Sequence, residues 1–213
     1  MIDVTPVIFT NDADALRTQV EALSGHAAWI QIDLSDGTMV PEQSVIDSEV
    51  LKAVIAAHPD TSFEAHLMVD NPVKYLKSLA DAGFKRVIAQ VEAADPRHFL
   101  EEAELESIEV GLALDGASEV DIIEPYLESV DHVVVMTVEA GSPDAPFLPE
   151  SLEKVKAIRH HFPDLPIVAE GNIEGRNVQL LTDVGVSRIV VSADTILSDP
   201  GSIDATIEAL QGK

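Results

Sequence analysis

The sequence predicts an α/β fold, a single closed (β/α)8 (TIM) barrel of parallel strands spanning residues 1–213. Short apolar runs alternate with amphipathic stretches from one end of the chain to the other, which is the pattern of repeated βα units. Some runs, such as Val133-Val134-Val135-Met136, are apolar without alternation, as in strands buried on both faces. No linker divides the 213 residues, and barrels of this kind fold as one domain of ~250 residues.

The predicted strands recur along the whole chain. They span residues 4–9, 29–34, 62–67, 86–90, 109–114, 132–136, 166–169 and 188–192. An open doubly wound sheet is the alternative arrangement of such units. No Gly-x-Gly-x-x-Gly turn follows the first strand, so the closed barrel is favoured.

Helix boundaries are marked by capping residues. Helices predicted over 13–23, 49–57 and 73–82 follow residues whose side-chain oxygens suit N-caps, namely Asn11-Asp12, Asp47-Ser48 and Asn71-Pro72. Pro72 also suits the first helical position. Gly83 and Gly185 are predicted to end the helices that follow the third and seventh strands.

The chain is strongly acidic, with 38 Asp and Glu against 13 Lys and Arg and a formal net charge of −25. Such a field repels nucleic acid and anionic membrane surfaces, so neither is an expected partner. A heavily solvated surface and adaptation to high salt both explain the acidity, and the sequence does not separate them.

Other classes of protein are excluded by composition. The chain has no cysteine, which rules out disulfides, thiolate catalysis and thiolate metal sites. No apolar run approaches the ~20 residues of a membrane span. No basic region precedes an apolar stretch at the start, so we expect no secretory signal and a cytoplasmic location.

Polar residues with chemical potential follow the predicted strands. In a (β/α)8 barrel the C-terminal strand ends meet at one mouth, where the chemistry takes place. That mouth is expected to hold the carboxylates of Asp33 and Glu170, the imidazole of His66, and Met68 and Met136.

Motifs at these strand ends match a known pattern. Residues 31–41 are similar to His-Ile-Asp-x-Met-Asp-Gly-x-Phe-Val-Pro, and His66-Leu67-Met68-Val69 is a third-strand motif of the same pattern. Gly111-Leu112-Ala113-Leu114 and Val135-Met136-Thr137-Val138-Glu139 match its fifth and sixth strands, and Glu170-Gly171-Asn172-Ile173 stands in place of Asp-Gly-Gly-Ile. Over its whole length the chain resembles the ribulose-phosphate 3-epimerase family, which implies a ribulose-phosphate-binding barrel.

The resemblance implies an isomerase of pentose phosphate and carbohydrate metabolism. Such an enzyme removes a proton beside a ketone, passes through an enediolate, and returns a proton on the opposite face, as between ribulose and xylulose 5-phosphates. Asp33 stands for the first acid/base and Glu170 for the second.

The metal site implied by the resemblance is altered. It comprises His66, Asp33, Glu170 and Gln31, where Gln31 replaces a histidine. Zinc favours nitrogen and sulfur ligands, so this oxygen-rich set predicts manganese or magnesium, or no metal at all.

The substrate site implied by the resemblance includes Thr10, Met68, Met136 and glycine-rich phosphate loops. In those loops Gly141 and Gly171 are present. Pro143 removes an N–H donor, Asp144 and Asp194 add negative charge, and Asn172 and Ala193 add bulk where the family has glycine. Phosphate is therefore expected to bind poorly.

Three functions stay open at this point. They are a sugar-phosphate epimerase, an enzyme on the same scaffold with an unphosphorylated substrate, and a catalytically inactive binding barrel. The related decarboxylases use Asp-x-Lys-x-x-Asp, and Asp33-Leu34-Ser35-Asp36 lacks the lysine. A sugar or sugar phosphate is the expected small-molecule partner, and a homo-oligomer is the expected assembly.

Overall fold

Eight parallel strands close into a barrel in sequence order, and the first strand pairs with both the second and the eighth. The computed structural model describes residues 2–142, 145–198 and 202–212. The predicted (β/α)8 architecture is confirmed. Within the described residues no helix combines the length and apolar character needed to cross a membrane.

The strands agree closely with those expected from the sequence. They are β1 (Asp3–Ile8), β2 (Trp29–Leu34), β3 (Ser62–Leu67), β4 (Arg86–Gln90), β5 (Glu109–Leu114), β6 (His132–Met136), β7 (Ile167–Glu170) and β8 (Arg188–Ser192). The predictions for β1 and β7 were wrong by one residue at each end. Pro166 has no N–H to give to the ladder, so β7 begins at Ile167 and its last residue is Glu170.

The helices form the outer layer of the barrel. They are α1 (Ala13–Leu23), α2 (Ser48–Ala57), α3 (Val73–Ala82), α4 (Pro96–Glu106), α5 (Ser151–His161), α6 (Gly175–Asp183), α7 (Ala193–Leu197) and α8 (Ile203–Leu210). Two 3-10 helices, Val120–Ile122 and Glu124–Ser129, stand between β5 and β6. The βα unit of the fifth strand therefore lacks a full α-helix, because Pro125 has no N–H of the kind that an α-helix interior requires.

Capping explains most helix boundaries. The carboxylate of Asp12 accepts from the N–H groups of Asp14 and Ala15, as expected of an N-cap. The prediction that Pro72 takes the first helical position was wrong: Pro72 is itself the N-cap residue of α3, with no side-chain cap. Gly185 has φ +98 and follows α6, where it allows the 6→1 bond from Val186 N–H to Leu181 O that closes the helix end.

Alternate strand residues face two different apolar cores. The larger core lies between the strands and the helices and includes Ile32, Leu34 and Ala65. A small second core fills the barrel interior with Ile88, Ala113, Val134, Met136, Val138, Val168 and Val190. Because Gln31, Asp33, His66 and Glu170 alternate with outward-facing residues, their side chains project into the interior.

A buried ion network lies inside the barrel, towards the N-terminal ends of the strands. Glu64 on β3 is 0% exposed and accepts from Arg86 Nη1 of β4 at 2.8 Å and from Arg188 Nη1 of β8 at 2.5 Å. The guanidinium of Arg86 also lies 4.1 Å from the ring centroid of Trp29 and donates to Glu109. The two buried ion pairs of Glu64 tie three strands together below the mouth.

Candidate active site

A cavity of about 400 Å³ opens at the C-terminal mouth of the barrel. Asp33 and Glu170 line it, as do seven of the predicted substrate contacts: Met68, Met136, Gly141, Gly171, Asn172, Ala193 and Asp194. Its size is in the range of small-molecule sites. Strand-end placement therefore brings most of the predicted site residues to one space.

Strand pairing places the three ionisable residues of the site together. Asp33 on β2 is directly opposite His66 on β3, and Glu170 ends β7 across the mouth. His66 Nδ1 lies 3.1 Å from Glu170 Oε1 and 3.7 Å from Asp33 Oδ1. His66 is 0% exposed, so these contacts are made without competition from bulk water.

The side-chain amides of Gln31 and Gln90 contact Asp33 and His66. Gln31 Nε2 donates to Asp33 Oδ1 at 2.7 Å, and Gln31 Oε1 is buried with no hydrogen-bond partner among the described residues. Gln90, at the end of β4, lies 3.1 Å from His66 Nε2. Its carbonyl oxygen faces His66, because only that orientation lets its amide nitrogen donate to Glu92 and to the carbonyl of Ala113.

The Gln90 contact determines which ring nitrogen of His66 is available to the site. Nε2 carries a hydrogen and donates it to Gln90, so Nδ1 is the nitrogen that faces the two carboxyls. Gln90 is the last residue of the strand predicted over residues 86–90, but no role was predicted for it. The signal that could have found it is its position at the end of a strand next to that of His66.

The two carboxyls have opposite protonation tendencies. Burial, and then repulsion from Glu170, raise the pKa of Asp33 from 3.8 to about 7. Burial opposes charge on His66 and on Glu170 as well, but their mutual attraction and hydrogen bond outweigh it. The pKa of His66 is raised to about 9, and the pKa of Glu170 is lowered. Near neutral pH the site holds an ionised Glu170 beside a charged His66, with Asp33 close to its midpoint.

These shifts link stability to pH in the metal-free protein. The pKa of Asp33 is higher in the folded state than in the unfolded chain, so stability falls as pH rises from about 4 through about 7. The stability that His66 contributes to the folded state is fully present below pH 6.5 and is lost as pH rises through about 9. Stability therefore falls as pH rises, up to about 7 because of Asp33 and up to about 9 because of His66.

The donor set fits a divalent cation. Ligand atoms of Asp33, His66 and Glu170 lie within 4.8 Å of one another, and all three residues are buried. Two further oxygens, Gln31 Oε1 and Glu170 Oε2, are buried without a hydrogen-bond partner in the part of the chain that the structure describes. An orphaned buried oxygen is costly unless something binds it, and a cation satisfies both.

Residues of the predicted phosphate loops make contacts with other parts of the protein. Gly171 has φ +117, and a Cβ there would lie 2.5 Å from Val138 Cγ2, so only glycine fits. Asn172 also has a positive φ of 44, and its amide donates to the carbonyl of Ala145. Asp194 accepts from Gln19 Nε2 at 3.0 Å. Pro143 and Asp144 lie outside the described residues.

Thr10 and Arg176 are placed away from the cavity wall. The Thr10 hydroxyl accepts from the backbone N–H of Asp12 and is not part of the lining. Arg176, the basic residue nearest the seventh loop, pairs with Glu174 at 3.0 Å in an exposed position. It supplies no charge to the cavity.

A comparison with known protein families shows to which family the chain belongs. The model of the "Ribulose-phosphate 3 epimerase family" matches residues 3–196 of the chain. The chain belongs to the ribulose-phosphate 3-epimerase family. The epimerase-like function predicted from the strand-end motifs is confirmed at this level.

Curated relatives carry the same name across distant organisms. The chain is 31% identical over 191 residues to ribulose-phosphate 3-epimerase of Schizosaccharomyces pombe, an alignment covering 88% of this chain and 83% of that protein. It is 29% identical to the Mycobacterium tuberculosis protein, with 98% and 93% covered. It is 27% identical to the cytoplasmic isoform of Oryza sativa, with 94% and 90% covered.

Some solved structures with the same fold carry the names of other enzymes. A 3-hexulose-6-phosphate synthase superposes with a TM-score of 0.74 at 17% identity, over 99% of both chains. The 3-keto-L-gulonate-6-phosphate decarboxylase of Vibrio cholerae superposes with a TM-score of 0.75 at 8% identity, over 99% of this chain and 96% of the other. At such identities the likeness establishes the barrel fold alone.

Proposed function

We propose that this ribulose-phosphate 3-epimerase family member inverts the carbon beside the ketone of a ketose, using Asp33 and Glu170 on opposite faces of the substrate. The observation that carries the proposal is the convergence of these two buried carboxyls on one mouth with different partners. Glu170 is held ionised by His66, whereas burial keeps a proton on much of Asp33, whose pKa is near neutral. Environments that separate two carboxyl pKa values in this way assign one base and one acid.

In the forward direction, Glu170 removes the proton from the carbon next to the ketone, and the enediolate forms. Asp33 then returns a proton to the opposite face, and the roles exchange in the reverse direction. His66 holds Glu170 Oε1 by a hydrogen bond, and Gln31 holds Asp33 Oδ1, so both carboxyls are fixed before substrate arrives. The relatives' names supply ribulose phosphate as their substrate.

A divalent cation fits beside these groups, held by Asp33, His66, Glu170 and the orphaned Gln31 Oε1. When bound, it would polarise the oxygen on which negative charge develops. Three oxygen ligands and one nitrogen favour manganese or magnesium over zinc.

We also propose a cytoplasmic location, and the homo-oligomer stays a prediction.

Hydrogen exchange tests the proposal directly. The purified chain is incubated with a ketopentose or its 5-phosphate in D2O, and NMR follows deuterium entry at C3 and appearance of the epimer. Asp33→Asn and Glu170→Gln should each slow exchange by roughly 10²–10⁴-fold. Asp60→Asn is the matched control, because Asp60 is exposed at the opposite end of the barrel. Exchange at the unmodified rate in both active-site variants would refute the assignment.

A further inference from the structure

Among the described residues, the cavity is lined by five carboxylates and by no basic side chain. Its acidic members are Asp33, Glu42, Glu139, Glu170 and Asp194. The chain has 13 Lys and Arg residues, and none of them is among the described residues that line the cavity. Neither Pro143 nor Asp144, which the structure does not describe, is basic. A phosphate in this space would meet like charge, with no Lys or Arg of the described lining to offset it.

The basic residues closest to the mouth are engaged elsewhere. Four lie in the first turn of helices that follow strands, which places them on the mouth side of the barrel: Lys74, Arg97, Lys154 and Arg176. Lys74 lies against Tyr75, and the guanidinium of Arg97 lies over the ring of Tyr126. Lys154 donates to two backbone carbonyls of the loop after β5. Arg176 pairs with Glu174, as described above, so none of the four turns to the cavity.

Asp194 places a charged hydrogen-bond acceptor on the cavity wall. The backbone N–H of Asp194 is accepted by Ser192 Oγ, so this donor is used within the protein. Gln19 gives its amide hydrogen to Asp194 Oδ1, and its own Oε1 is buried without a hydrogen-bond partner among the residues described. A carboxylate on a cavity wall is satisfied by a ligand that brings hydrogen-bond donors, such as hydroxyl groups.

We propose that the substrate of this site is an unphosphorylated ketose, whose tail hydroxyls donate to Asp194. The inference rests on the proposed function for the proton transfer and adds the class of substrate. A single negative charge ~4 Å from a carboxylate at an effective dielectric of about 20 weakens binding by roughly a thousandfold. A phosphate dianion meets that penalty, whereas a hydroxyl gains a charge-assisted hydrogen bond.

Calorimetric titration at fixed ionic strength compares D-ribulose with D-ribulose 5-phosphate on the same protein. The unmodified chain should bind D-ribulose more tightly. Asp194→Asn keeps the shape of the side chain and the acceptor for Gln19 but removes the charge. It should tighten binding of the phosphate ester by about tenfold or more. It should weaken binding of D-ribulose, because the hydrogen bond to Asp194 is then no longer charge-assisted. Asp60→Asn makes the same change in net charge outside the cavity and should alter neither affinity.

Tighter binding of the 5-phosphate than of D-ribulose by the unmodified chain would overturn the inference. An equal gain in phosphate affinity in Asp60→Asn would also overturn it, because overall charge would then be responsible. Binding of D-ribulose without exchange of its C3 hydrogen would instead contradict the proposed function and leave the choice of substrate class supported.

Discussion

Replacing Gln90 by leucine tests whether the orientation of His66 controls the site. The substitution keeps the approximate size of the side chain and removes the acceptor of His66 Nε2–H. Gln90 is 1% exposed and His66 is 0% exposed, so no bulk water can take its place. A buried donor left without a partner costs roughly 1–3 kcal/mol. For a chain of this length that corresponds to a fall in Tm of roughly 2–12 °C.

The same substitution should also weaken the binding of a cation. Partners that fix the ring of a ligating histidine are worth roughly 10–100-fold in metal affinity. Manganese titration by calorimetry, together with thermal unfolding of the chelator-treated chain, measures both effects. Gln179→Leu is the control, because Gln179 is exposed on α6 and contacts only Asp183 in its side-chain hydrogen bond. Manganese affinity within about twofold of the unmodified value in Gln90→Leu would show that Gln90 does not orient His66.

Three further outcomes follow from the geometry. In chelator, Tm should fall between pH 6.5 and about 9, because there the folded chain keeps the proton of His66 that the unfolded chain has lost. The fall should be smaller in His66→Asn, and an equal slope in both would contradict this. Glu64→Gln leaves two guanidiniums without their buried carboxylate and should lower the free energy of unfolding by about 3–5 kcal/mol. Glu174→Gln on the surface should lower it by about 0–1 kcal/mol. Both values are measured by urea unfolding. Protein purified without added metal should contain little zinc by elemental analysis, and Gln31→His should raise the zinc content. A full equivalent of zinc already present in the unmodified chain would refute the role of Gln31.

The barrel and its mouth could be predicted because both depend on local signals. Apolar runs bounded by turns define strands, and Gly83 and Gly185 end helices by a conformation that glycine adopts readily. The order of the strands then fixes which ends meet, and Asp33, His66 and Glu170 follow. The errors are local too. Pro166 does not belong to β7, which begins one residue later at Ile167, and Pro72 is the N-cap of α3 and not its first residue.

The side-chain contacts that determine the chemistry of the site could not be predicted from the sequence. Gln90 reaches His66 from the next strand, and Gln19 reaches Asp194 across 175 positions of the chain. Each depends on the direction of a side chain after the barrel has closed. The protonation states of Asp33 and Glu170 were inaccessible for the same reason, because they arise from burial and from short distances to one histidine.

The ion network beneath the mouth bears on the order in which the chain folds. Glu64 and Arg86 are close in sequence, but Arg188 is 124 positions from Glu64 and arrives only with the last strand. A barrel assembled without that strand would bury Glu64 with one of its two cations. Partial barrels are therefore penalised electrostatically as well as by their open edges. Closure by β8 removes both penalties in one step, which favours all-or-none folding over the accumulation of a half-barrel intermediate.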